Sequence, residues 1–397
     1  MLDIPDHMPN NSVVCLMAPT ASGKTALAYE LYDSGRYELI SVDSALIYRD
    51  MNIGTAKPTA AELARYPHHL VDIIDPTQSY SVAEFVQDVE QLITACHQQG
   101  KIPLLVGGTM MYYMALIEGL SPVPDSDDGI REQVEQWRQV EGIAALYDYL
   151  SQVDPASHQR LKPTDTQRIT RAVEVYKQTA IPISEWQRQP KHALAHNPEQ
   201  HWHVLSVLPD RPWLHERIAQ RLDIMWEQGL MAEVISLLTR YPLTPTMPAM
   251  RCVGYRQVLE YLVQTKHPIF EQPHLDKAQF YSVFADNTFT NNALVNNGSN
   301  QPNNQALGQQ ESHACEAMQN KALYATRQLA KRQYTWLRKL SKPFEPPKLF
   351  ECSTLAIVGS SKVDQSIAKA STVLMHQQHD IVLKSFTSIA QVREYLL

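Results

Sequence analysis

Short apolar runs and amphipathic stretches alternate along residues 1–121 of the chain. The runs Ser12–Met17, Tyr37–Val42 and Ile102–Val106 are rich in aliphatic and β-branched residues, which predicts buried strands. Apolar residues at helical spacing predict helices over Thr25–Tyr32 and Val82–Gln99. Strands that alternate with helices indicate an α/β fold, in which helices flank a parallel sheet.

The pattern becomes mainly helical after residue 121. Ile130–Leu150 and Gln167–Lys177 have helical spacing, with little strand pattern between them. The run His203–Leu208 then predicts a further strand of the sheet, and a long helical pattern follows from Trp213 to Leu238. We therefore predict a smaller helical insertion domain at about 122–200, within an α/β core that is discontinuous in sequence.

A stretch of low hydrophobicity interrupts the second half of the chain. Asn287–Gln310 is rich in Asn, Gln, Ser and Gly, which predicts a flexible insert at about 267–320. Residues 346–397 mix strand and helix patterns, so we predict a C-terminal extension and assign it no role. The predicted core comprises residues 1–121, about 201–265, and 321–345, where helical periodicity resumes.

The composition is that of a globular protein with two or three domains, since 44% of the 397 residues are hydrophobic and 19% are charged. No apolar run has the length of a membrane-spanning helix, and the first residues lack the basic and apolar segments of a secretory signal. The five cysteines show no CxxC spacing, which is typical of reduced thiols. We therefore expect a cytoplasmic protein with no membrane partner.

The chain is acidic overall but basic in one segment. A net charge of −7, taken alone, argues against nucleic-acid binding. Between Asn320 and Phe344, however, seven Lys and Arg residues occur without any Asp or Glu. This segment can bind phosphates despite the acidic total.

A phosphate-binding loop is the strongest chemical motif, because it follows a predicted strand and precedes a predicted helix. Backbone N–H groups and the helix N-terminus of such a loop bind phosphates, Lys24 supplies a charge, and the Thr25 hydroxyl can bind Mg²⁺. We therefore predict an α/β fold with a P-loop NTPase-like parallel sheet flanked by helices and a smaller helical insertion domain. The loop comprises Ala18, Pro19, Thr20, Ala21, Ser22, Gly23, Lys24 and Thr25.

The phosphate loop alone leaves a kinase and a non-kinase function open. A phosphoryl-transfer enzyme pairs this loop with an Asp at the end of a strand, and Asp43, Asp72 and Asp75 are the candidates. Asp43 follows the second strand, at the sheet edge where ligands of α/β proteins bind. It can be a metal ligand or a general base, or it can cap the next turn.

Two arginine pairs can contact phosphates or form surface ion pairs. Arg168 and Arg171 share one face of a predicted helix, as do Arg217 and Arg221. Thr109, after the Gly107-Gly108 pair, can approach a ligand at the end of a buried strand.

Two segments combine arginine with aromatic residues, a composition suited to unstacked RNA bases. The first is Met250–Arg256, with sequence MRCVGYR. The second is the basic helix, on which Arg327, Lys331 and Arg338 lie along one face. Its aromatic residues Tyr334 and Trp336 can stack on bases or pack in the core.

These motifs, in this order, closely resemble the tRNA dimethylallyltransferase family of the bacterial type. The resemblance extends over most of the first 265 residues and the basic helix. The matching segments are APTASGKTALA at Ala18–Ala28, ISVDSALIYRDMNIGTAKP at Ile40–Pro58, HHLVDIIDP at His68–Pro76, LLVGGTMMYY at Leu104–Tyr113, DTQRITRAVEVY at Asp165–Tyr176, MRCVGYRQ at Met250–Gln257 and ATRQLAKRQYTWLR at Ala325–Arg338.

The resemblance implies transfer of a dimethylallyl group from dimethylallyl diphosphate to N6 of adenosine 37, beside the tRNA anticodon. The products would be N6-(dimethylallyl)adenosine and diphosphate. The phosphate loop would then bind the donor diphosphate with Mg²⁺ at Thr25, and either Arg217 or Arg221 would assist. Asp43 would take the proton from the exocyclic amine, with Thr109 nearby.

The resemblance also implies contacts with the anticodon stem-loop, whose target base would be flipped into the pocket. The insertion domain would close over the RNA, and we expect a monomer. The implied tRNA contacts are Asp43, Ser44, Ala45, Leu46, Thr109, Arg131, Gln167, Arg168, Ile169, Thr170, Arg171, Arg251, Cys252, Val253, Gly254, Tyr255, Arg256, Lys331, Arg332 and Arg338.

Two alternatives to prenyl transfer remain at this level. One is a P-loop kinase of a small metabolite or nucleoside, which uses ATP and Mg²⁺ in the same loop. The other is an RNA-binding protein whose loop holds only backbone phosphate. The chain also departs from the family pattern in two places, since it is longer between Leu262 and Ala325 and has a tail beyond about Lys348.

Overall fold

A parallel sheet organises the larger of two compact units. The computed structural model describes residues 8–284, 304–340 and 381–396. The larger unit comprises Met1–Tyr113 and Pro198–Leu397, and the smaller unit comprises Met114–Asn197. In the described part of the chain, no helix has both the length and the apolar composition needed to cross a bilayer.

Among the described residues the sheet has six strands, which are β1 (Ser12–Met17), β2 (Tyr37–Val42), β3 (His68–His69), β4 (Ile102–Gly107), β5 (His201–Val207) and β6 (Ile381–Phe386). Their order in the sheet is β3-β2-β4-β1-β5-β6, and all neighbouring pairs are parallel. β1 and β4 are fully buried, which explains their continuous apolar sequences. The predicted parallel α/β sheet is confirmed.

Helices account for most of the remaining described residues. In and next to the larger unit they are α1 (Lys24–Asp33), α2 (Ala60–Arg65), α3 (Val82–Gln98), α4 (Met110–Glu118), α9 (Arg211–Glu227), α10 (Leu230–Arg240), α11 (Tyr255–Gln264), α12 (Lys277–Phe284), α13 (Asn304–Leu340) and α14 (Ile389–Leu396). In the smaller unit they are α5 (Asp128–Val153), α6 (Pro155–Arg160), α7 (Thr166–Thr179) and α8 (Ile183–Trp186), with a core that includes Val134, Leu146, Leu150, Ile169 and Val173.

One long predicted helix is two helices in the structure. The helical pattern from Trp213 to Leu238 is interrupted at Gly229, whose φ of 94° is left-handed and lies directly before α10. Glycine adopts this conformation without the steric cost that a side chain would add. The pattern was continuous because both helices bury apolar residues at the same spacing.

The prediction of a flexible insert at about 267–320 is wrong for both ends of that segment. Pro268–Glu271 forms a 3₁₀ turn, α12 follows it, and α13 begins at Asn304. Their apolar side chains join the main core, which the Asn and Gln content of the middle of the segment obscured. The buried residues are Ile269, Phe270, Leu275, Phe280, Phe284 and Met318. The middle of the predicted insert, residues 285–303, lies outside the described residues.

The end of the chain completes the sheet. β6 pairs in parallel with β5, and Val392 and Tyr395 of α14 pack in the core on the α1 face of the sheet. The last described residues therefore belong to the α/β core, although the sequence assigned no role to 346–397. Residues 341–380, which include Lys342 of the basic segment, lie outside the described residues.

A carboxylate on α10 holds the segment that follows β2. Glu233 accepts hydrogen bonds from the backbone N–H groups of Asn52, Ile53 and Gly54 at 2.7 to 3.1 Å. It also accepts a hydrogen bond of 2.6 Å from the Tyr255 hydroxyl. Only glycine fits at residue 54, because a Cβ there would lie 2.5 Å from Cε2 of Tyr255.

Replacing Glu233 with Ala should lower the free energy of unfolding by about 2–4 kcal/mol, since four donors lose a charged acceptor. The midpoint of urea unfolding measures this loss. Glu227→Ala at the exposed end of α9 is the control and should change the free energy by less than about 0.5 kcal/mol. Equal midpoints for the two variants would contradict the role of Glu233.

Candidate active site

Three loops meet at the carboxyl edge of the sheet. The phosphate loop follows β1, Asp43 follows β2, and Thr109 follows β4 closely. β4 lies between β1 and β2, and Gly107 is in register with both Met17 and Val42. The loops therefore begin at the same level, so the phosphate loop, Asp43 and Thr109 lie together as the sequence led us to expect.

The phosphate loop leaves the start of α1 open. Gly23, with a φ of 88°, precedes Lys24, and among the described residues other than Gly23 and its chain neighbours, no heavy atom lies within 4 Å of where a Cβ of Gly23 would be. The hydroxyl of Ser22 is buried and has no hydrogen-bond partner in the described part of the chain. A buried hydroxyl without a partner is costly, and a bound phosphate oxygen would supply one.

Two cations lie at the phosphate loop, Lys24 within it and Arg221 beside it. Burial lowers the pKa of Lys24 to about 8; the charge of Arg221 contributes to the lowering, and Asp43 opposes it. Burial also lowers the pKa of Arg221, whose Nη1 donates a hydrogen bond of 3.3 Å to Oγ1 of Thr20. Two neighbouring cations in a poorly solvated site favour the binding of an anion.

The structure distinguishes the two arginines of α9. Arg221 reaches Thr20 of the phosphate loop, whereas Arg217 is exposed and its guanidinium lies 5.8 Å from the centre of the Trp213 ring. The sequence could not separate them, because residues four apart on a helix share one face. Of the two, Arg221 is the arginine that contacts the phosphate loop.

Asp43 caps a turn and retains a free carboxylate oxygen. Its Oδ1 accepts a hydrogen bond of 2.9 Å from the N–H of Ala45. One of its two oxygens therefore caps the next turn, as one of the sequence alternatives predicted. Within the described residues, Oδ2 has no hydrogen-bond partner. The carboxylate lies close enough to Lys24 and Arg221 to affect the pKa of both. One oxygen of Asp43 is thus available to a substrate.

Thr109 connects the loops that follow β2 and β4. Its Oγ1 accepts a hydrogen bond of 3.0 Å from the N–H of Ser44 and donates one of 3.3 Å to the Ser44 hydroxyl. Its own N–H donates to the carbonyl oxygen of Val42 at 3.1 Å. Gly107 permits this approach, because a Cβ there would lie 2.0 Å from that oxygen.

The other two aspartates considered as loop partners are engaged elsewhere. Asp72 forms an ion pair with Lys57, and Asp75 forms one of 2.8 Å with Arg49. Asp43 is the candidate whose charge acts on the phosphate-loop lysine.

Gln333 on α13 is a site residue that the sequence did not reveal. Its Oε1 accepts a hydrogen bond of 3.1 Å from the N–H of Thr20, and its Nε2 donates one of 2.8 Å to the carbonyl oxygen of Gly108. The signal that could have identified it is its position at helical spacing from Ala330 and Leu337, which are buried.

The MRCVGYR segment divides into exposed and buried residues. Arg251 is exposed, Arg256 is half-buried with its guanidinium 5.2 Å from the Phe284 ring centre, and Val253 is half-buried. Tyr255 is fully buried and cannot stack on a base, so its implied tRNA contact is wrong for the side chain. Burial and the nearby charge of Asp43 raise the pKa of Cys252 to about 12.

The last part of the basic helix exposes its charges, whereas Arg327 is half-buried. Lys331, Arg332 and Arg338 are exposed. Of the two aromatic residues, Tyr334 is buried and donates a hydrogen bond to the carbonyl oxygen of Pro209, whereas Trp336 is 40% exposed. Tyr334 therefore packs in the core, whereas Trp336 is partly exposed, with Nζ of Lys339 5.5 Å from its ring centre.

The smaller unit exposes part of its implied tRNA-binding set. Arg131, Gln167 and Arg168 are exposed, and Arg168 forms an ion pair of 2.7 Å with Asp165. Ile169 is fully buried in the core of this unit, so an RNA contact by its side chain is excluded. The remaining two residues bond within the unit, since the Thr170 hydroxyl donates to Thr166 O and Arg171 donates to Pro124 O and Ser126 Oγ.

Comparison with known proteins places this geometry in a family. The model of the family described as "IPP transferase" matches residues 46–340. A tRNA dimethylallyltransferase of Psychrobacter cryohalolentis is 67% identical over 98% of this chain and 95% of its own length. The chain belongs to the IPP transferase family. An Acinetobacter baumannii tRNA dimethylallyltransferase is 46% identical over 83% of this family member and 91% of its own length.

A solved structure supports the fold of this IPP transferase. It is described as a eukaryotic dimethylallyltransferase acting on tRNA, with a TM-score of 0.58 and 22% identity. The likeness covers 82% of this chain and 70% of the eukaryotic chain. The likeness shows a fold shared with that protein, in agreement with the predicted α/β sheet flanked by helices.

Proposed function

We propose that the chain transfers a dimethylallyl group from dimethylallyl diphosphate to N6 of adenosine 37 in tRNA, beside the anticodon. The main support is the free oxygen of Asp43, at the same sheet edge as a phosphate loop with two desolvated cations. A base and a site for a leaving diphosphate are the two groups that such a transfer needs. The relatives' names supply the substrate class.

The proposed reaction exchanges one bond for another. The N6 nitrogen forms a bond to C1 of the dimethylallyl group as the bond from C1 to the diphosphate oxygen breaks. Asp43 takes the proton from N6, while Lys24 and Arg221 stabilise the charge on the departing diphosphate. Thr109 holds the Asp43 loop in place through Ser44.

The hydroxyl groups of the phosphate loop suit Mg²⁺. Thr25 is exposed in the first turn of α1, and the Ser22 hydroxyl nearby has no partner among the described residues. Mg²⁺ prefers oxygen ligands and commonly shares substrate phosphates and waters. When bound at Thr25 and the diphosphate, it would supply positive charge against the leaving group.

The exposed cations are the proposed RNA contacts. In the larger unit these are Arg251, Lys331, Arg332 and Arg338, with half-buried Arg256. In the smaller unit they are Arg131 and Arg168, with Gln167. Such side chains position an RNA backbone through its phosphates. Because tRNA is the proposed substrate, we place the activity in the cytoplasm.

The first experiment incubates the purified chain with Mg²⁺, dimethylallyl diphosphate and unmodified tRNA that has adenosine at positions 36 and 37. Mass analysis of the nucleosides should show N6-(dimethylallyl)adenosine. The kinase alternative predicts ATP consumption on a small acceptor and no modified nucleoside. The pure RNA-binding alternative predicts tRNA binding without product.

Binding of dimethylallyl diphosphate should draw a proton onto Lys24 in alkaline solution. The free chain loses that proton as pH rises through about 8, and the bound anion should raise the pKa again. Uptake should therefore be near zero at pH about 6.5 and approach one proton per site at pH about 9. Calorimetry without tRNA, in buffers of different ionisation enthalpy, measures it.

Lys24→Met is the matched variant for this titration. It should bind dimethylallyl diphosphate more weakly and show no alkaline proton uptake, because the titrating group is absent. Equal uptake by the variant and the parent chain would assign the proton to another group.

A further inference from the structure

We propose that Gln333 is a positioning residue, which holds the diphosphate-binding loop and the Thr109 loop in the mutual arrangement that prenyl transfer needs. The inference deepens the proposed function and rests on it. Gln333 lies on α13, outside the three loops that carry the reacting groups.

Both ends of the Gln333 amide are used. Oε1 accepts from the N–H of Thr20 in the phosphate loop, and Nε2 donates to the carbonyl oxygen of Gly108. Gln333 is 7% exposed, so water competes little for these bonds. Gly108 has no room for a side chain, since a Cβ there would lie 2.5 Å from Nε2 of Gln333.

The two hydrogen bonds of Gln333 connect the part of the site that would bind dimethylallyl diphosphate with the part that would bind the adenosine. Thr20 is held by Gln333 through its N–H and by Arg221 through its hydroxyl. Gly108 immediately precedes Thr109, which binds Ser44 next to Asp43. Gln333 thus connects Thr20, which holds Arg221, with Gly108. Gly108 belongs to the turn whose Thr109 holds the loop of the proposed base.

The helix places Gln333 independently of the loops. On either side of it along α13, Ala330 and Leu337 are buried, and Tyr334 donates a hydrogen bond to the carbonyl oxygen of Pro209. A side chain that helix packing fixes in this way can hold two loops at a set distance from each other. Misplacement of reacting groups by about 1 Å can cost about 100-fold in rate.

The chemistry of the amide explains why glutamine is required. A carboxylate of the same shape could still accept from Thr20 but would face the Gly108 oxygen with a second acceptor. A protonated carboxyl group could again donate to Gly108. Methionine is similar in length and forms neither bond.

The test compares Gln333→Glu and Gln333→Met with the parent chain in single-turnover transfer at saturating donor and tRNA. Both should lower the rate constant about 10- to 100-fold, with tRNA affinity nearly unchanged. Relative to the parent at each pH, Gln333→Glu should recover several-fold as pH falls from about 8 to about 6, while Gln333→Met should not recover. A merely structural role would not produce this difference.

Gln391→Glu is the matched control, because the Gln391 Oε1 accepts a backbone N–H from Thr387 at 2.9 Å, far along the chain from the site loops. It should retain the parent rate at both pH values. Far-UV circular dichroism and thermal unfolding of each variant confirm that it is folded.

Gly108→Ala tests the same contact without changing residue 333. The new methyl group should displace the Gln333 amide and lower the rate by a similar factor. Combined with Gln333→Met, it should add little further loss, because both changes break one contact.

Parent-like rates in folded Gln333→Glu and Gln333→Met would overturn the positioning role while leaving the proposed function intact. A loss that is additive in the double variant, or a recovery at low pH that is equal for Glu and Met, would overturn it as well. Absence of product from the parent chain would instead refute the proposed function, and the positioning role with it.

Discussion

Replacing Asp43 with Asn should lower the rate constant of prenyl transfer by about 10²- to 10⁴-fold, the range for loss of a general base. Asparagine retains an oxygen that can accept the N–H of Ala45, so the turn after β2 is preserved. What it lacks is a basic oxygen for the proton of N6. The affinity for tRNA should therefore remain close to that of the parent chain.

Single-turnover assays with saturating donor, beside a direct binding measurement, separate these two effects. Asp43→Ala should lose the same activity and also the turn cap, so its stability should be lower than that of Asp43→Asn. Asp75→Asn is the control, since Asp75 forms an exposed ion pair with Arg49. Parent-like turnover by Asp43→Asn would refute the assignment of the base.

Replacing Arg221 with Ala should lower kcat/KM for dimethylallyl diphosphate by about 10²- to 10³-fold, the effect of removing one donor to developing negative charge. Arg221 combines a guanidinium beside Lys24 with a hydrogen bond to Thr20. Without Arg221, the leaving diphosphate loses a stabilising positive charge, and the Thr20 hydroxyl loses its hydrogen bond to the guanidinium. Arg221→Lys keeps the charge but not the planar fork, and its loss should be intermediate.

Arg217→Ala is the informative comparison on the same helix. Arg217 is exposed and lies against the Trp213 ring, so its loss should change kcat/KM for the donor by less than about 10-fold. Steady-state kinetics with donor varied and tRNA saturating measure both variants. A larger loss for Arg217→Ala than for Arg221→Ala would reverse our choice between the two.

Much of the fold was predictable because its signals are local. β1 and β2 have the predicted bounds, since their apolar side chains follow one another directly in the chain. The phosphate loop could be identified because eight consecutive residues contain the glycine, lysine and hydroxyl group that a phosphate needs. The position of Asp43 followed from a general rule, that ligands bind where parallel strands end.

The errors occurred where a local pattern has two meanings. Tyr255 lies among arginines and was expected to contact RNA, but Gly54 leaves a space that its ring fills. Asparagine and glutamine dominate 287–310, and the expectation of flexibility was extended to α12, which packs in the core. Composition describes an average over a segment, whereas burial is decided by each residue's neighbours in space.

The sequence by itself determined the strand–loop–helix unit that can bind a diphosphate, the carboxylate beside it and the family resemblance. Only the tertiary structure decided that Arg221 rather than Arg217 reaches the loop, that Gln333 joins two loops, and that β6 completes the sheet. The physical reason is distance along the chain. Arg221 and Thr20 are 201 residues apart, and Gln333 and Thr20 are 313 apart. Such contacts depend on how separate helices pack against the sheet, which no local spacing encodes.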